Sequence, residues 1–523
     1  MRLRILLLAL ATTSALRAGA PLLRNRAPKL SHSTLAAAPL LQRPPRTACL
    51  TLSAADDLDL TGKVEVALTA DSCPTDEAST LELLKFVLPV LATWLSSELL
   101  SVVDTAVVGM GSATELAALG PATMLTDSTA YLFFWLSVAT TNLFASAQAS
   151  GDTDGAYAVV SDALWCAIAF GVLLSAALAT FGPGALAAIL SRAPAAIPGA
   201  TTYLNIRLLS APAFLAACVL QAACVGAKDA TTPLLSVAFG GVLNLGLDLL
   251  LVCRLGYGIG GAAIATLTAQ VATLSVLAVS VRRKRAAALG SPSLLRGRPS
   301  ATRLRAFLQF AGPIFLVLLG KIACYNTMTL VAGRCGLVAL AAHQALFAVF
   351  NVGCKFGDAV SQTAQAYLPS CLGDAFGEGV DAKAAVVPRA ARALAGRLFR
   401  VGIFFGGGIA LAAAAVARYG SAIFTRDIAV AAQMGSVAPL LLLALSFHTC
   451  TLCAEGILLG ARQLGFLAKS YIVNIVVFLS GLLVVDRLGL GLRAVWTALF
   501  AFQILRFGVF TGRAWALRLL GRD

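Results

Sequence analysis

Charged residues are scarce in this chain of 523 residues: Asp, Glu, Lys and Arg make up 12% of it, while 59% is hydrophobic. A soluble globular domain carries about 25% charge, so the composition excludes one and reads as an integral membrane protein. Histidine is rarer still. The three histidines, His32, His343 and His448, fall in separate segments, which excludes a histidine-box membrane oxygenase. Acid is scarcer than base, and the net charge is +15. In a soluble chain that excess would suggest a nucleic-acid partner. Here the basic residues lie in loops and in the N-terminal region, so they set topology and no nucleic acid is expected. The twelve cysteines are scattered through apolar segments and read as small buried hydrophobes. Cys450 and Cys453 form a CxxC without a second pair, inside an apolar run, so no metal or redox cofactor is expected there.

The first 80 residues stand apart from the membrane region. Arg2 and Arg4 precede the apolar run Ile5 to Ala11 and the small residues Thr12 to Ala15, an n-region and h-region too short to span. From Leu16 to Ala55 there is no acidic residue but there are six basic ones, among many Ala, Ser and Pro; that is transit-peptide composition. Residues 56–80 turn acidic and read as a linker. A signal followed by a transit-like segment resembles the bipartite leader of algae with complex plastids, and implies a plastid envelope. The alternative is a secretory signal with a polar tail, leading to another endomembrane or the plasma membrane.

Apolar spans then recur near 83–109, 116–148, 156–181, 198–226, 232–253, 256–281, 304–332, 337–371, 393–416, 430–459, 463–485 and 490–517. Each is long enough for a membrane helix of about 20 residues. Arginines and lysines concentrate in the loops after even-numbered spans, including Arg282 to Arg285 and Lys383 to Arg400; odd-numbered spans are followed mostly by single arginines. Both ends of the membrane region therefore face the cytosol-equivalent side. Arg389, Arg392, Arg397 and Arg400 sit near helical spacing, so Val387 to Arg400 is expected to lie on the headgroups as an interfacial helix.

The basic loop 282–303 divides the region into an N-lobe, 81–281, and a C-lobe, 304–523. Pro89 matches Pro313 at an offset of 224 residues, Gly226-Ala227-Lys228 matches Gly460-Ala461-Arg462 at 234, and Leu255-Gly256-Tyr257-Gly258 matches Leu488-Gly489-Leu490-Gly491 at 233. Near-constant offsets mean internal repeats, the plan of secondary transporters. The expected fold is an all-α polytopic membrane protein with twelve transmembrane helices in two six-helix pseudo-symmetric lobes.

The repeat separates scaffold from function. Asp104 maps to Met328, Asn244 to Phe478, Asp248 to Leu482, and Thr266 to Leu499 or Phe500. The second half fills these positions with apolar side chains, so the fold does not require them polar. A carboxylate at membrane depth costs about 2.5–3.5 kcal/mol and marks an ion or substrate pathway by default. Asn244 and Asp248 are one helical turn apart and share a face. Such an oxygen-rich set suits Na⁺ or H⁺; hydrogen bonding between helices is the plainer reading.

At this point the chain resembles the multidrug and toxic compound extrusion (MATE) family. The residues that carry the resemblance are Pro89 with VDTAVVG (Val103 to Gly109), ELAALGPA (Glu115 to Ala122), GAKDATTP (Gly226 to Pro233), NLGLD (Asn244 to Asp248) and GGAAIAT (Gly260 to Thr266). AAHQ (Ala341 to Gln344) and SQTAQAYLP (Ser361 to Pro369) join them. Within the family the chain is most similar to the DinF-like branch and to plant plastid-envelope members. The resemblance implies two V-shaped bundles around a central cavity and export of small organic molecules in exchange for H⁺ or Na⁺, by a monomer among membrane lipids. It places a cation site on Asp104, Asn244, Asp248 and Thr266, with Pro89 as the bending point of the first helix. Substrate-cavity candidates are Lys321, Gln344, Gln362 and Glu455. Lys321 stands where NorM-like relatives carry an essential glutamate, which favours organic anions, possible aromatic carboxylates among them. Glu455 is either the C-lobe acid or a partner of Lys321. Asp358, close to Lys355, reads as a local ion pair. A lipid flippase of the same superfamily is the alternative. A membrane aspartyl protease would need a Gly-x-Gly-Asp motif, of which Phe356-Gly357-Asp358 is a fragment.

Overall fold

Apolar runs of this length can bury their backbone polar groups in lipid only by pairing them within the segment, which means helices. The computed structural model describes residues 79–521 apart from 112, 192–193, 296–300, 374–386 and 426. The leader, most of the linker, and Arg192, Arg296, Arg298 and Lys383 lie outside the described residues. The helices are α1 (Thr80–Gly111), α2 (Ala113–Tyr131), α3 (Trp135–Ala149), α4 (Thr153–Ile189), α5 (Ile197–Arg207), α6 (Ala211–Gly226), α7 (Thr231–Asp248) and α8 (Gly258–Leu289). They continue with α9 (Ala301–Arg334), α10 (Leu337–Leu372), α11 (Arg389–Tyr419), α12 (Ile428–Gly460), α13 (Leu464–Leu488) and α14 (Gly491–Ala516). Among the described residues they form twelve stretches long and apolar enough to cross a membrane.

Local chemistry explains where they begin and break. Ser79 and Glu82 form a reciprocal capping box at the start of α1, with Ser79 N donating to Glu82 Oε2 at 2.8 Å and Glu82 N to Ser79 Oγ at 3.2 Å. Asp152 caps α4 and Asp427 caps α12 through their carboxylates. The second span is two helices, because a turn at residues 132–134 interrupts it among the aromatic residues Tyr131, Phe133 and Phe134. The fourth span breaks after Arg207 into a short 3₁₀ turn, and Pro212 then opens α6. The expected interfacial helix at Val387 to Arg400 is corrected. Arg389 to Arg400 open the continuous helix α11 after the N-cap Pro388, and Ala391, Leu394, Ala395 and Leu398 are buried in the bundle. Packing of that apolar face outweighs the pull of the arginines towards the headgroups.

The repeated motifs are repeated turns. Lys228 and Arg462, at matching positions, adopt φ of 60° and 55°. The amides that close the two helix ends also match: Asp229 N to Cys224 O and Gln463 N to Leu458 O, both at 2.9 Å. Gly256, Gly258, Gly489 and Gly491 all have positive φ, a backbone that favours glycine.

Packing falls into three cores. One joins both halves at the end carrying the basic loops and includes Leu83, Val90, Val160, Ala359, Val360 and Leu458. At the other end the halves keep separate cores: Val107, Leu119, Tyr203 and Ala262 in the first, and Met328, Leu346, Leu441 and Trp496 in the second. The region 79–521 is therefore a V, with its halves packed together on the basic side and separately cored on the opposite, open side. Polar contacts between the halves follow the closed end: Asn142 Nδ2 donates to Gln365 Oε1 at 2.7 Å, Trp94 Nε1 to Gln362 Oε1 at 3.4 Å, and Lys228 Nζ to Ser370 Oγ at 3.0 Å.

Candidate functional site

Three helices of the first half bring the four oxygen-bearing residues together. Asp104 comes from the last turns of α1. Asn244 and Asp248 come from the end of α7, and Thr266 from α8. Asn244 Nδ2 donates to Asp104 Oδ1 at 2.6 Å and to Asp248 Oδ2 at 2.9 Å, while Thr266 Oγ1 reaches Asp104 Oδ2 at 3.5 Å. Asn244 and Asp248 are buried, and Asp104 and Thr266 half-buried. Immediately after Asp248 the helix widens into a π-turn at Leu249–Arg254, a distortion often found at functional sites.

The donor set fits a small hard cation. Asn244 Oδ1 and Asp248 Oδ1 are buried without a hydrogen-bond partner, so each keeps lone pairs to offer. Gln270, one turn beyond Thr266 on α8, also has a buried and unpartnered Oε1. Carboxylate, amide and hydroxyl oxygens suit alkali and alkaline-earth ions. No group of three or more His, Cys, Asp or Glu side chains that could hold a metal occurs among the described residues. Arg207 and Asp127, ion-paired at 3.2 Å in the same half, were not singled out in the sequence, although an arginine inside an apolar span was a visible signal.

The second half carries a different polar network. Glu455 on α12 receives Lys321 Nζ at 3.0 Å, the Tyr471 hydroxyl at 2.6 Å and Arg506 Nη2 at 3.0 Å. Arg506 is fully buried and also donates to Gln503 and Tyr471. Glu455 is thus the partner of Lys321, and of a second cation that sequence reasoning missed. Arg506 shares the last apolar span with Arg493, Gln503 and Arg513, and its position matches Ala272 or Thr273 in the first half, so the arginine was a visible signal that was not singled out.

A cavity between the halves is lined by Trp94, Tyr131, Lys321, Asp358, Gln362 and Glu455, among others. Gln344 is absent from it and exposed. It lies on the same face of α10 as Gln362, but 18 residues or about 27 Å along the helix, towards the open end of the V. Lys355 Nζ forms its close salt bridge with Glu98 Oε1 on α1 at 3.1 Å, while Asp358 acts on it as a second nearby charge. Gly357 is a packing contact, since a Cβ there would come within 2.7 Å of Leu452. Pro89 sits inside an α1 that runs unbroken past it. Cys450 and Cys453 are free thiols.

Comparison with known proteins decides the family. The MatE family profile matches residues 89–250. Protein DETOXIFICATION 47, chloroplastic, of Arabidopsis thaliana is 32% identical over 433 residues, covering 83% of this chain and 77% of the relative. The chain belongs to the MATE family. Protein DETOXIFICATION 44, chloroplastic, of the same plant is 28% identical over 451 residues, covering 84% and 82%. DNA damage-inducible protein F of Escherichia coli K12 is 32% identical over 197 residues, 38% of this chain and 43% of the relative. MATE structures share the fold. One described as an outward-facing conformation of a multidrug resistance MATE family transporter superposes with a TM-score of 0.70 at 19% identity, covering 85% of this chain and 97% of the other. A MATE in the bent conformation gives 0.69 at 20%, covering 84% and 97%. This MATE chain is a multi-pass integral membrane protein of a transporter family.

Proposed function

We propose that this MATE transporter is an antiporter that exports small organic molecules against an inward flow of H⁺ or Na⁺. Asp104, Asn244, Asp248 and Thr266 hold the coupling cation. The observation that carries the reading is the Asn244 amide held between two carboxylates, at 2.6 Å and 2.9 Å. In its place a cation would face the same oxygens and relieve the repulsion between two acids in a low-dielectric lobe. Arrival from the open side neutralises the pair. The N-lobe then contracts around α1, which bends at Pro89 where an N–H donor is missing, and the substrate leaves outward. Coupling requires only that cation and substrate prefer different states. No other cofactor takes part, and the monomer in its lipid is the working unit.

Substrate class rests on Lys321 and Gln362 in the cavity between the halves. Two cations, Lys321 and Arg506, share one carboxylate, and Lys321 stands in the cavity wall with Trp94 and Tyr131, with Asp358 as a further acid in the same lining. An aromatic carboxylate matches that surface. Location rests on the leader composition and on two relatives named chloroplastic; both point to a plastid envelope. The test is uptake into proteoliposomes under imposed pH or Na⁺ gradients, against a panel of aromatic carboxylates, neutral analogues and organic cations. Transport indifferent to both gradients overturns antiport.

A further inference from the structure

Alternating access requires the closed end of the V to open, and an ion pair crosses between the halves there. Lys355 Nζ lies 3.1 Å from Glu98 Oε1. Both residues sit where the shared core gives way to the separate ones. On α1, Glu98 follows the shared-core residues Leu83 to Leu91 and precedes Val107; on α10, Lys355 lies between Phe350 of the C-lobe core and Ala359 of the shared core. The pair is thus at the floor of the open cleft. The Lys355 side chain is 18% exposed and its ammonium stands 5.0 Å over the Trp94 ring. Separating α1 from α10 takes away both Glu98 and Trp94. A mostly buried ammonium left without a partner is strongly destabilising, so opening needs a substitute.

The chain supplies one. Asp358 is three residues along α10 from Lys355, on the same face and within side-chain reach. No hydrogen bond or close salt bridge reaches it among the described residues, it already feels the charges of Lys355 and Lys321 at longer range, and it lines the cavity between the halves. Lys321, the other cation on that wall, is committed to Glu455 at 3.0 Å. We propose that Lys355 is handed from Glu98 to Asp358 as the basic side opens, so that the gate moves without stranding a charge. Glu98 favours the closed state and Asp358 the open one. The proposal concerns the gate alone and is independent of the coupling ion and the substrate.

The test measures the distance between the halves in the full chain reconstituted in lipid, by pulsed electron resonance between labels on unnatural amino acids at Ser150 and Lys469. Glu98→Gln is expected to raise the fraction open on the basic side, and Asp358→Asn to lower it, each by about threefold, the scale of a partly exposed ion pair. Asp358→Asn combined with Lys355→Met is expected to return to the value of Lys355→Met alone. Shifts of the two single variants in the same direction, an unchanged distribution in Asp358→Asn, or a double variant that behaves like Asp358→Asn overturn the handover. If Asp358→Asn fails to accumulate, the proposal requires that the double variant accumulate and open; loss of both overturns it.

Discussion

Arg506 and Glu455 form an ion pair at 3.0 Å in the interior of the C-lobe, with the guanidinium fully buried. Lys321 reaches the same carboxylate from the cavity side. Glu455→Gln leaves Arg506 buried with only Tyr471 and Gln503, and is expected to cost about 3–5 kcal/mol, the scale of breaking a buried pair. Lys321→Met leaves Arg506, Tyr471 and Glu455 satisfied, so it costs less stability. It should nonetheless reduce transport of an aromatic carboxylate several-fold more than that of its neutral amide. Lys321→Glu is the harsher change, because it sets two carboxylates side by side. Thermal unfolding in detergent and transport in proteoliposomes separate the two roles. A Glu455→Gln protein as stable as Lys321→Met removes the structural role, and equal transport losses for both substrates remove the anion-binding one.

The motif GAKDATTP is a turn with a measurable pH signature. Asp229 accepts from Thr231 N at 3.1 Å and Thr232 N at 3.0 Å and pairs with Lys284. Burial works to raise its pKa, but the hydrogen bonds from Lys284, Thr232 and Thr231 outweigh it and hold the carboxyl well below its ordinary 3.8. A depressed value stabilises the fold fully above the unfolded value and loses that contribution as pH falls through the folded one. Asp229→Asn is therefore expected to cost about 1–2 kcal/mol near neutrality, with the gap to the unmodified protein constant down to pH about 5 and closing below about 4. A gap that widens on acidification refutes this.

The leader is tested by location. Residues 1–55 fused to a fluorescent protein should reach the plastid, and residues 1–16 alone should stop in the secretory pathway. Plasma-membrane location of the full-length protein removes the plastid assignment.

Much of the fold was legible because the membrane admits few solutions. The twelve spans follow from run length, and the repeat from turns such as Lys228 and Arg462, whose matching backbone forces matching sequence. The gathering of Asp104, Asn244, Asp248 and Thr266 was legible for a different reason: the second half puts Met328, Phe478 and Leu482 in the equivalent places. What stayed hidden depends on side-chain direction in space. Arg506, which matches Ala272 or Thr273, offered the same contrast, but its partners Glu455 and Tyr471 come from other helices and could not be read from it. Glu98 was not singled out beside Asp104 in the first span, while Lys355 had a nearer acid in sequence, Asp358. The break at residues 132–134 carries no glycine or proline, so nothing in composition marked it.

The aspartate pair gives the most demanding test. Asn244 donates to both Asp104 and Asp248, so each Asp→Asn change keeps shape while removing a charge the cation needs. Asp104→Asn and Asp248→Asn are each expected to abolish gradient-driven export while the protein stays folded and binds substrate. Asn244→Ala removes the shared donor and leaves two carboxylates facing each other. Thr266→Ala removes a hydroxyl at 3.5 Å. Both should weaken coupling by about tenfold or less, the scale of one neutral hydrogen bond. Leu482→Asp should not rescue Asp248→Asn, since Phe478 and Met328 around it are buried and apolar. Transport, substrate binding and thermal stability are measured on the same preparations. Normal export by Asp104→Asn under the same gradient shows that the coupling cation binds elsewhere. Loss of substrate binding along with export points instead to a carboxylate that serves the substrate.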